Sequence, residues 1–273
     1  MNLLQPIPPI RVETPPVSIL TAARTLPAGT EWRDGISFLP NGCSPASGYP
    51  NCEVVSISPE KCSPAANTRA SFMPWLFYVP DGCDTKPFYA EDWDARGSEA
   101  LGAYTPWAIS LELDTGAMSG SPSLRSTAVD ISGVGAVDVA TAVGSLIRAR
   151  VEQGFGGVAT LHVPAWLIPN MDEDALLDRT GGQLTAAAGM ARVSPGPGYT
   201  GASPDSTLNV TPPPGEGWVY ITGPVEYELG PIFTHPSQAE QEHRMNTAEI
   251  YSERAGIFRF DPCGVFAVRA GGS

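Results

Sequence analysis

The sequence has little positive charge and almost no lysine. Of its 273 residues, 16 are Lys or Arg and 29 are Asp or Glu, which gives a formal net charge of −13. The lysines are Lys61 and Lys86 alone. Affinity for nucleic-acid phosphates depends on Lys and Arg side chains. This charge balance therefore excludes a protein that binds nucleic acid through a broad basic surface.

Long apolar runs are also missing. A bilayer-spanning helix needs about 18 or more consecutive apolar residues, and no run in the sequence approaches that length. The first residues, from Met1 to Pro6, have neither the basic region nor the sustained apolar region of a secretory signal peptide. We therefore expect a protein that is made in a cytosol and does not enter a membrane.

The sequence offers few residues for catalysis. It has 3 histidines and none of the hydrolase, phosphate-binding or zinc-protease motifs. His162 lies in an apolar run, which predicts a hydrogen-bonded core imidazole rather than a general base. The acidic clusters 91–94 and 172–174 each precede or open a predicted helix, where the helix dipole favours carboxylates. We expect no enzyme activity, no metal and no cofactor; a small hydrolase with paired carboxylates is the enzymatic alternative.

Glycine and proline are abundant, at 29 and 28 residues, and predict many turns and extended segments. Prolines crowd residues 1–30, which predicts an extended arm. Short β-like runs separated by Asp-Gly and Asn-Gly turns follow in 31–90. The run 71–79 is rich in large apolar side chains, and a projecting hairpin would need a partner chain to cover them. This makes Phe72, Trp75, Phe77 and Tyr78 candidates for contact between subunits.

The 5 cysteines are unevenly placed. Cys263 stands alone near the end of the chain, and the others crowd one loop-rich quarter without the paired spacing of a zinc site. Two readings stay open: small buried side chains, or disulfides formed after release into an oxidising medium. The candidates for disulfides are Cys43, Cys52, Cys62 and Cys83.

The order of predicted elements indicates an α+β fold. Residues 93–115 read as a helix that Pro106 should kink or divide, and 136–153 read as the clearest amphipathic helix. A buried strand follows, and residues 180–216 read mostly as loop. The remaining predictions are a strand at 158–163, a short acidic helix at 172–179, and late strands near 218–222, 225–229, 256–260 and 264–269.

This order resembles the tailed-phage capsid proteins and encapsulins, which share the Hong Kong 97-type capsid fold. The helix from Trp93 to Gly116 ends in Glu112-Leu113-Asp114-Thr115-Gly116 and is similar to the family's acidic-ended spine helix. Segments 136–153 and 157–169 resemble the helix, strand and turn of the shell domain. The run from Trp218 to Val225 is similar to virion structural proteins of actinobacterial phages.

The resemblance implies an N-terminal arm (1–30), an extended hairpin loop (31–92), a spine helix and connection (93–135), and peripheral and axial shell domains (136–273). It implies pentamers and hexamers that enclose double-stranded DNA without sequence-specific binding, with contact to other virion proteins. Trp107 of the spine helix joins the candidates for contact between subunits.

The implied location is the virion, after assembly in the host bacterial cytoplasm. Other readings within this class are a minor capsid, tail or connector protein, and an encapsulin-like shell.

Overall fold

The computed structural model describes residues 13–40, 69–81, 90–133, 135–204, 211–235 and 250–271. Helices and strands are mixed along these ranges, as in an α+β protein. The helices are Ile19–Ala22 (α1), Glu31–Asp34 (α2), Ala90–Thr115 (α3), Leu124–Thr127 (α4), Val139–Glu152 (α5) and Ile168–Glu173 (α6). The strands are Arg24–Thr25 (β1), Ile36–Phe38 (β2), Ala70–Phe72 (β3), Trp75–Asp81 (β4), Val129–Asp130 (β5), Val137–Asp138 (β6), Ala159–Pro164 (β7), Leu177–Thr180 (β8), Gln183–Ala186 (β9), Ala191–Gly196 (β10), Glu216–Thr222 (β11), Val225–His235 (β12), Ile250–Phe260 (β13) and Phe266–Gly271 (β14). In this part of the chain, no helix is both long and apolar enough to cross a membrane.

The larger sheet has eight strands in the order β5-β14-β11-β7-β10-β9-β8, and β6 pairs with β14. Its central strand β7 is buried at every position. It pairs in parallel with β10 and antiparallel with β11. Because successive side chains of a strand point to opposite faces, this burial requires cover on both faces of the sheet. We call it the closed sheet.

Helix α5 covers one face of the closed sheet. Ala142, Val143 and Leu146 of the helix share a core with Val219 and Ile221 of β11. The helix begins where Asp138 Oδ1 accepts a hydrogen bond from Thr141 N at 2.8 Å, which satisfies one of the free backbone donors of the first turn. The predicted helix 136–153 therefore agrees with α5 to within a few residues.

The smaller sheet has four strands in the order β1-β12-β13-β4. Helix α3 packs on one of its faces and lies against β13 and β4. A Cβ atom built at Gly97 of this helix would lie 2.0 Å from Ser252 Oγ. The close approach of helix and sheet therefore depends on a glycine at this position.

Helix α3 runs 26 residues without a break and contains Pro106. Of the two predicted effects of Pro106, a kink or a division, the division does not occur. Proline removes one backbone donor and crowds the preceding turn, yet neighbouring hydroxyls bond to the backbone here. Thr105 Oγ1 donates to Leu101 O at 2.7 Å, and Ser110 Oγ donates to Pro106 O at 2.8 Å. Packing against both sheets keeps the two halves of the helix together.

Residues 24–32 lie against β12, and α1 before them packs against β10 and α3, so the described N-terminal residues are not apart from the body. Strand β1 pairs in parallel with β12, and the buried Glu228 side chain accepts hydrogen bonds from Gly29 N at 2.8 Å and Trp32 N at 3.1 Å. A Cβ atom at Gly230 would lie 2.7 Å from the Trp32 ring. Backbone pairing and a buried carboxylate thus fix residues 24–32 on the smaller sheet.

Two predictions for the residues between α5 and β11 were wrong. The expected helix 172–179 is a helix at Ile168–Glu173 followed by strand β8, because Pro169 starts the helix early. The expected loop 180–216 contains strands β9 and β10. These strands are short and follow the turns at Gly181-Gly182 and Gly189; β9 pairs with its chain neighbours β8 and β10, and β10 also pairs with the earlier strand β7.

Candidate assembly surface

In the part of the chain that the structure describes, the smaller sheet leaves part of one face uncovered, on the side of β4. Along β4, Trp75 and Phe77 point inward and are buried, whereas Leu76 is 54% exposed and Tyr78 is 65% exposed. β4 is also the last strand of its sheet. An exposed edge strand with apolar side chains is a surface that proteins normally cover.

Aromatic side chains of the neighbouring strands extend this surface. Tyr78 lies opposite Glu253, which lies opposite Phe233. Tyr251 packs edge-on against Tyr78 with ring centroids 6.5 Å apart, and it stacks on His235 at 4.9 Å. His235 Nε2 and Glu253 Oε1 are 3.0 Å apart. We call this surface the open face; its residues are Leu76, Tyr78, Phe233, His235, Tyr251 and Glu253.

A second apolar surface lies on α3. Tyr104 is 51% exposed and Trp107 is 45% exposed, and the half-buried Leu111 follows one turn later. Residues three and four apart share one side of a helix, so these side chains form a continuous stripe. We call Tyr104, Trp107 and Leu111 the helix stripe. It lies on the side of α3 that neither sheet covers.

The structure divides the sequence-predicted contact residues into two groups. Tyr78 and Trp107 are exposed and remain candidates for contact with a neighbour. Phe72, Trp75 and Phe77 are buried inside their own chain, which differs from the expectation. Phe72 packs edge-on against Phe258 and Phe260 with centroids 5.8 and 5.4 Å apart. The run 71–79 is not a lone hairpin: β4 pairs with β13 and covers these rings internally.

The four clustered cysteines, Cys43, Cys52, Cys62 and Cys83, lie outside the described residues. Cys263 lies inside them, in the turn between β13 and β14, where its side chain is buried and disulfide-bonded. Sequence spacing gave no reason to single it out, because no other cysteine lies near it in the chain.

The residues behind the helix stripe form a tightly packed junction between α3 and the closed sheet. The connection between β10 and β11 passes under the helix, and we call residues 196–203 the junction loop. A Cβ atom built at Gly198 would lie 2.2 Å from Trp107 O and 2.7 Å from Leu111 N. Gly198 N donates to Ser110 Oγ at 2.9 Å. The stripe residues are therefore held from behind by backbone contact.

A hydrogen-bonded network joins the junction loop to the closed sheet. Thr222 Oγ1 donates to Gly223 O at 2.8 Å, so it accepts from His162 Nε2, which lies 2.9 Å away. His162 Nδ1 then accepts from Tyr199 OH at 2.8 Å, and Tyr199 OH accepts from Ser194 Oγ at 3.1 Å. The predicted core imidazole is confirmed. Burial lowers the pKa of His162 to about 3, so the ring is neutral.

Two carboxylates at the end of α3, those of Glu112 and Asp114, accept hydrogen bonds from residues of two loops. Both oxygens of the buried Glu112 are used, by Met118 N at 2.7 Å, Ser119 N at 2.9 Å and Ser119 Oγ at 2.5 Å. Asp114 bonds to Thr200 of the junction loop. From the sequence, these residues were identified only as the end of a predicted helix. Their position in a last turn, where the dipole disfavours negative charge, was the signal that they bond to other groups.

Residues of the kind that bind metals do not converge. No group of three or more His, Cys, Asp or Glu side chains comes together in the ranges that the structure describes. The acidic run Asp172-Glu173-Asp174 is exposed at the end of α6. Its carboxylates face solvent, where they need no partner.

Neither protein-family models nor curated proteins match this chain. Solved structures do, over nearly its whole length. A structure titled "Capsid of Ralstonia phage GP4" matches with a TM-score of 0.54 at 11% identity and covers 99% of this chain and 95% of the other. The chain has a phage capsid fold. A structure titled "Capsid of empty GTA particle computed with C5 symmetry" matches this capsid fold with a TM-score of 0.55 at 10% identity, covering 99% and 95%.

The capsid fold extends to a structure from Gordonia phage Cozz, with a TM-score of 0.56 at 14% identity and coverage of 100% of this chain and 91% of the other. The α+β, Hong Kong 97-type prediction for the fold is therefore confirmed. Within this capsid fold, α3 takes the place predicted for the spine helix. Identities this low explain why the resemblance lies in the order of elements and not in shared motifs.

Proposed function

We propose that the protein is a structural subunit of a phage capsid, which assembles with copies of itself into pentamers and hexamers around the phage genome. The observation that carries the proposal is the match, end to end, to structures titled as capsids. A match that covers both chains almost completely leaves little room for an added catalytic domain. The proposed role is therefore structural and not enzymatic.

The open face and the helix stripe supply surfaces for such assembly. Both carry large apolar side chains that are exposed in the single chain, such as Tyr78 and Trp107. Burying a large apolar side chain contributes about 1.5–3 kcal/mol, and aromatic residues such as Tyr78 and Trp107 are frequent anchors of interfaces. A few such contacts per subunit, repeated over a shell, would favour closed particles.

The charge of the chain fits a container for DNA. A net charge of −13 disfavours binding to phosphates, because such binding relies on Lys and Arg. The proposed partners are other copies of the chain and other virion proteins, and the enclosed double-stranded DNA is not read by sequence. The proposed location is the virion, after assembly in the cytoplasm of a bacterial host.

Domain boundaries within the subunit are part of this proposal. Residues 1–30 would be the arm, 31–92 the extended loop, 93–135 the spine helix and its connection, and 136–273 the peripheral and axial shell domains. In support, α3 spans most of the third segment, and α5 with the closed sheet belongs mainly to the fourth.

Electron microscopy of the purified chain tests the proposal. We expect closed shells of uniform diameter in negative stain and a matching large species in sedimentation velocity. Tubes or rings of fixed subunit number would indicate a tail or connector protein instead. A stable monomer or dimer at all protein and salt concentrations would contradict the proposal.

Charge substitutions test which surface is responsible for assembly. Tyr78→Asp and Trp107→Asp each place a carboxylate on one apolar surface, and we expect both variants to fold but to form few shells. The matched control is Val151→Asp, because Val151 is an equally exposed apolar residue on the solvent side of α5. Equal loss of shells in all three variants would show that neither the open face nor the helix stripe is a specific contact surface.

A further inference from the structure

Asp114 lies in the last turn of α3 with its side chain fully buried. Its Oδ2 atom accepts hydrogen bonds from Thr200 N at 2.8 Å and Thr200 Oγ1 at 2.6 Å. Its Oδ1 atom is buried and has no hydrogen-bond partner among the described residues. A buried ionised carboxylate normally has both oxygens bonded. Asp114 therefore uses only one oxygen, at a helix end where the dipole already disfavours negative charge.

Glu112 shows what a satisfied carboxylate looks like at the same helix end. Both of its oxygens accept hydrogen bonds, and all of its donors come from residues 118–119 of the following turn. Asp114 differs because its donors come from Thr200, which is distant in the chain and belongs to the junction loop. Its protonation state therefore acts on a contact between two separate parts of the fold.

Few charged groups balance Asp114. The ionisable groups that face it from the packed elements are Arg125 of α4, Tyr199 of the junction loop and Tyr220 of β11. Asp130 of β5 acts on Tyr220, and the neutral His162 lies beyond Tyr199. Arg125 and the Thr200 donors favour the ionised form of Asp114. Burial outweighs them and raises the pKa of Asp114 above its usual 3.8.

We propose that Asp114 is a protonation-controlled latch that holds the junction loop on α3. When Asp114 is neutral, Oδ2 still accepts from Thr200 and no charge is buried. When it is ionised, the unpartnered Oδ1 carries charge in a site without solvent, and opening of the loop relieves that cost. The junction between the helix stripe and the closed sheet is therefore tightest when Asp114 is protonated.

The direction of the pH effect follows from the linkage between proton binding and loop opening. A carboxyl group with a raised pKa in the closed state binds its proton more tightly there than after opening. Its contribution to the closed state is complete below the ordinary value of 3.8 and is lost as pH rises through the raised value. Each unit of upward shift corresponds to about a tenfold change in the opening equilibrium.

Hydrogen exchange of the purified chain, read by mass spectrometry at a series of pH values, tests the latch. After correction for the intrinsic pH dependence of exchange, we expect the opening equilibrium of peptides covering 196–203 to rise about tenfold or more across the titration. Peptides from α5 serve as the internal reference, because that helix packs on the opposite face of the closed sheet from α3 and the junction loop. A flat profile for 196–203 would overturn the proposal.

Two variants separate a latch from a merely structural contact. Asp114→Asn keeps an oxygen for Thr200 but cannot ionise, so its profile should be independent of pH. Thr200→Val removes a donor that favours the ionised form, so it should move the midpoint of the transition to higher pH. An unchanged midpoint in Thr200→Val would contradict the assignment even if Asp114→Asn did not fold. None of these outcomes depends on whether the chain forms shells.

Discussion

The two sheets of this subunit differ in how many of their faces the chain itself covers. The closed sheet has α5 on one face and α3 with the junction loop on the other, and β7 is buried at each position. Among the described residues, the four-stranded sheet has α3 on one face and α2 on only part of the other, where Glu228 is buried, so β4 alternates between buried and exposed side chains. Among the described residues, one sheet is covered on both faces, whereas the other leaves part of one face exposed.

The difference assigns different tasks to the two sheets. Side chains of the closed sheet, such as Val219 and Ile221, contribute to folding of the single chain. Side chains of the open face, such as Tyr78, contribute little to folding and are available for association. The assembly that we propose needs both kinds of surface, because each chain must fold before it associates, and here they lie on separate sheets that both pack on α3.

The largest expected effect concerns the covered face of the four-stranded sheet. Phe77 points inward and packs against Trp75 with ring centroids 4.9 Å apart. Phe77→Ala should lower the free energy of unfolding by about 3 kcal/mol, because the ring is lost and a cavity remains. Urea denaturation of the unassembled subunit measures this. A loss below about 1 kcal/mol would mean that this face is no more covered than the open one.

Acid should destabilise the closed sheet through His162. The pKa of this ring is lowered to about 3 in the folded chain, so the unfolded chain binds a proton first as pH falls below about 6.5. The contribution of His162 to the free energy of unfolding is complete above about pH 6.5 and decreases as the pH falls. At pH 5 the loss is about 2 kcal/mol.

Urea midpoints at pH 7.5 and pH 5 measure the effect of His162. His162→Gln keeps a hydrogen-bonding side chain but does not titrate, so it should show a smaller midpoint change between these pH values. Equal midpoint changes in both proteins would contradict a buried neutral imidazole.

The junction between the two sheets should tolerate no side chain at Gly198. Gly198→Ala places a methyl group against backbone atoms of α3, and we expect a loss of about 1–3 kcal/mol. The matched control is Gly144→Ala in α5, where a Cβ atom has nothing within 4 Å and should stabilise the helix by about 0.5–1 kcal/mol. Thermal melts compare the two. Similar effects of the same sign would indicate that the junction is loosely packed.

The smallest expected effect on folding is at the open face. Leu76 is next to Phe77 on β4 but points outward, so Leu76→Ala should change the free energy of unfolding by no more than about 0.5 kcal/mol. The same variant should form shells more slowly, as light scattering would detect. A large loss of subunit stability with normal assembly would reverse the assignment of the two faces.

Sequence patterns predicted the elements that are buried along one side, as in an amphipathic helix, or along their whole length, as in a central strand. The apolar positions of 136–153 predicted α5, and the run 158–163 predicted β7, since each pattern reflects its own surroundings. The order of these elements was sufficient to predict the capsid fold. His162 was also predictable, because an imidazole inside an apolar strand needs buried partners.

Features that depend on distant partners were not predictable. Strand β10 is short, and its partner β7 is separated from it in the chain by α6, β8 and β9. The burial of Phe72 and Phe77 depends on β13, which lies far along the chain, so their apolar character alone did not tell core from interface. Likewise, Asp114 and Gly198 gain their roles from contact between α3 and the junction loop.

A cryo-electron microscopy map of particles formed by the purified chain tests the central claim most directly. The account predicts closed shells in which Tyr78 of the open face and Trp107 of the helix stripe are buried against a neighbouring subunit, with Phe77 buried as in the single chain. Particles that leave both exposed surfaces in solvent, or a chain that stays monomeric, would contradict it.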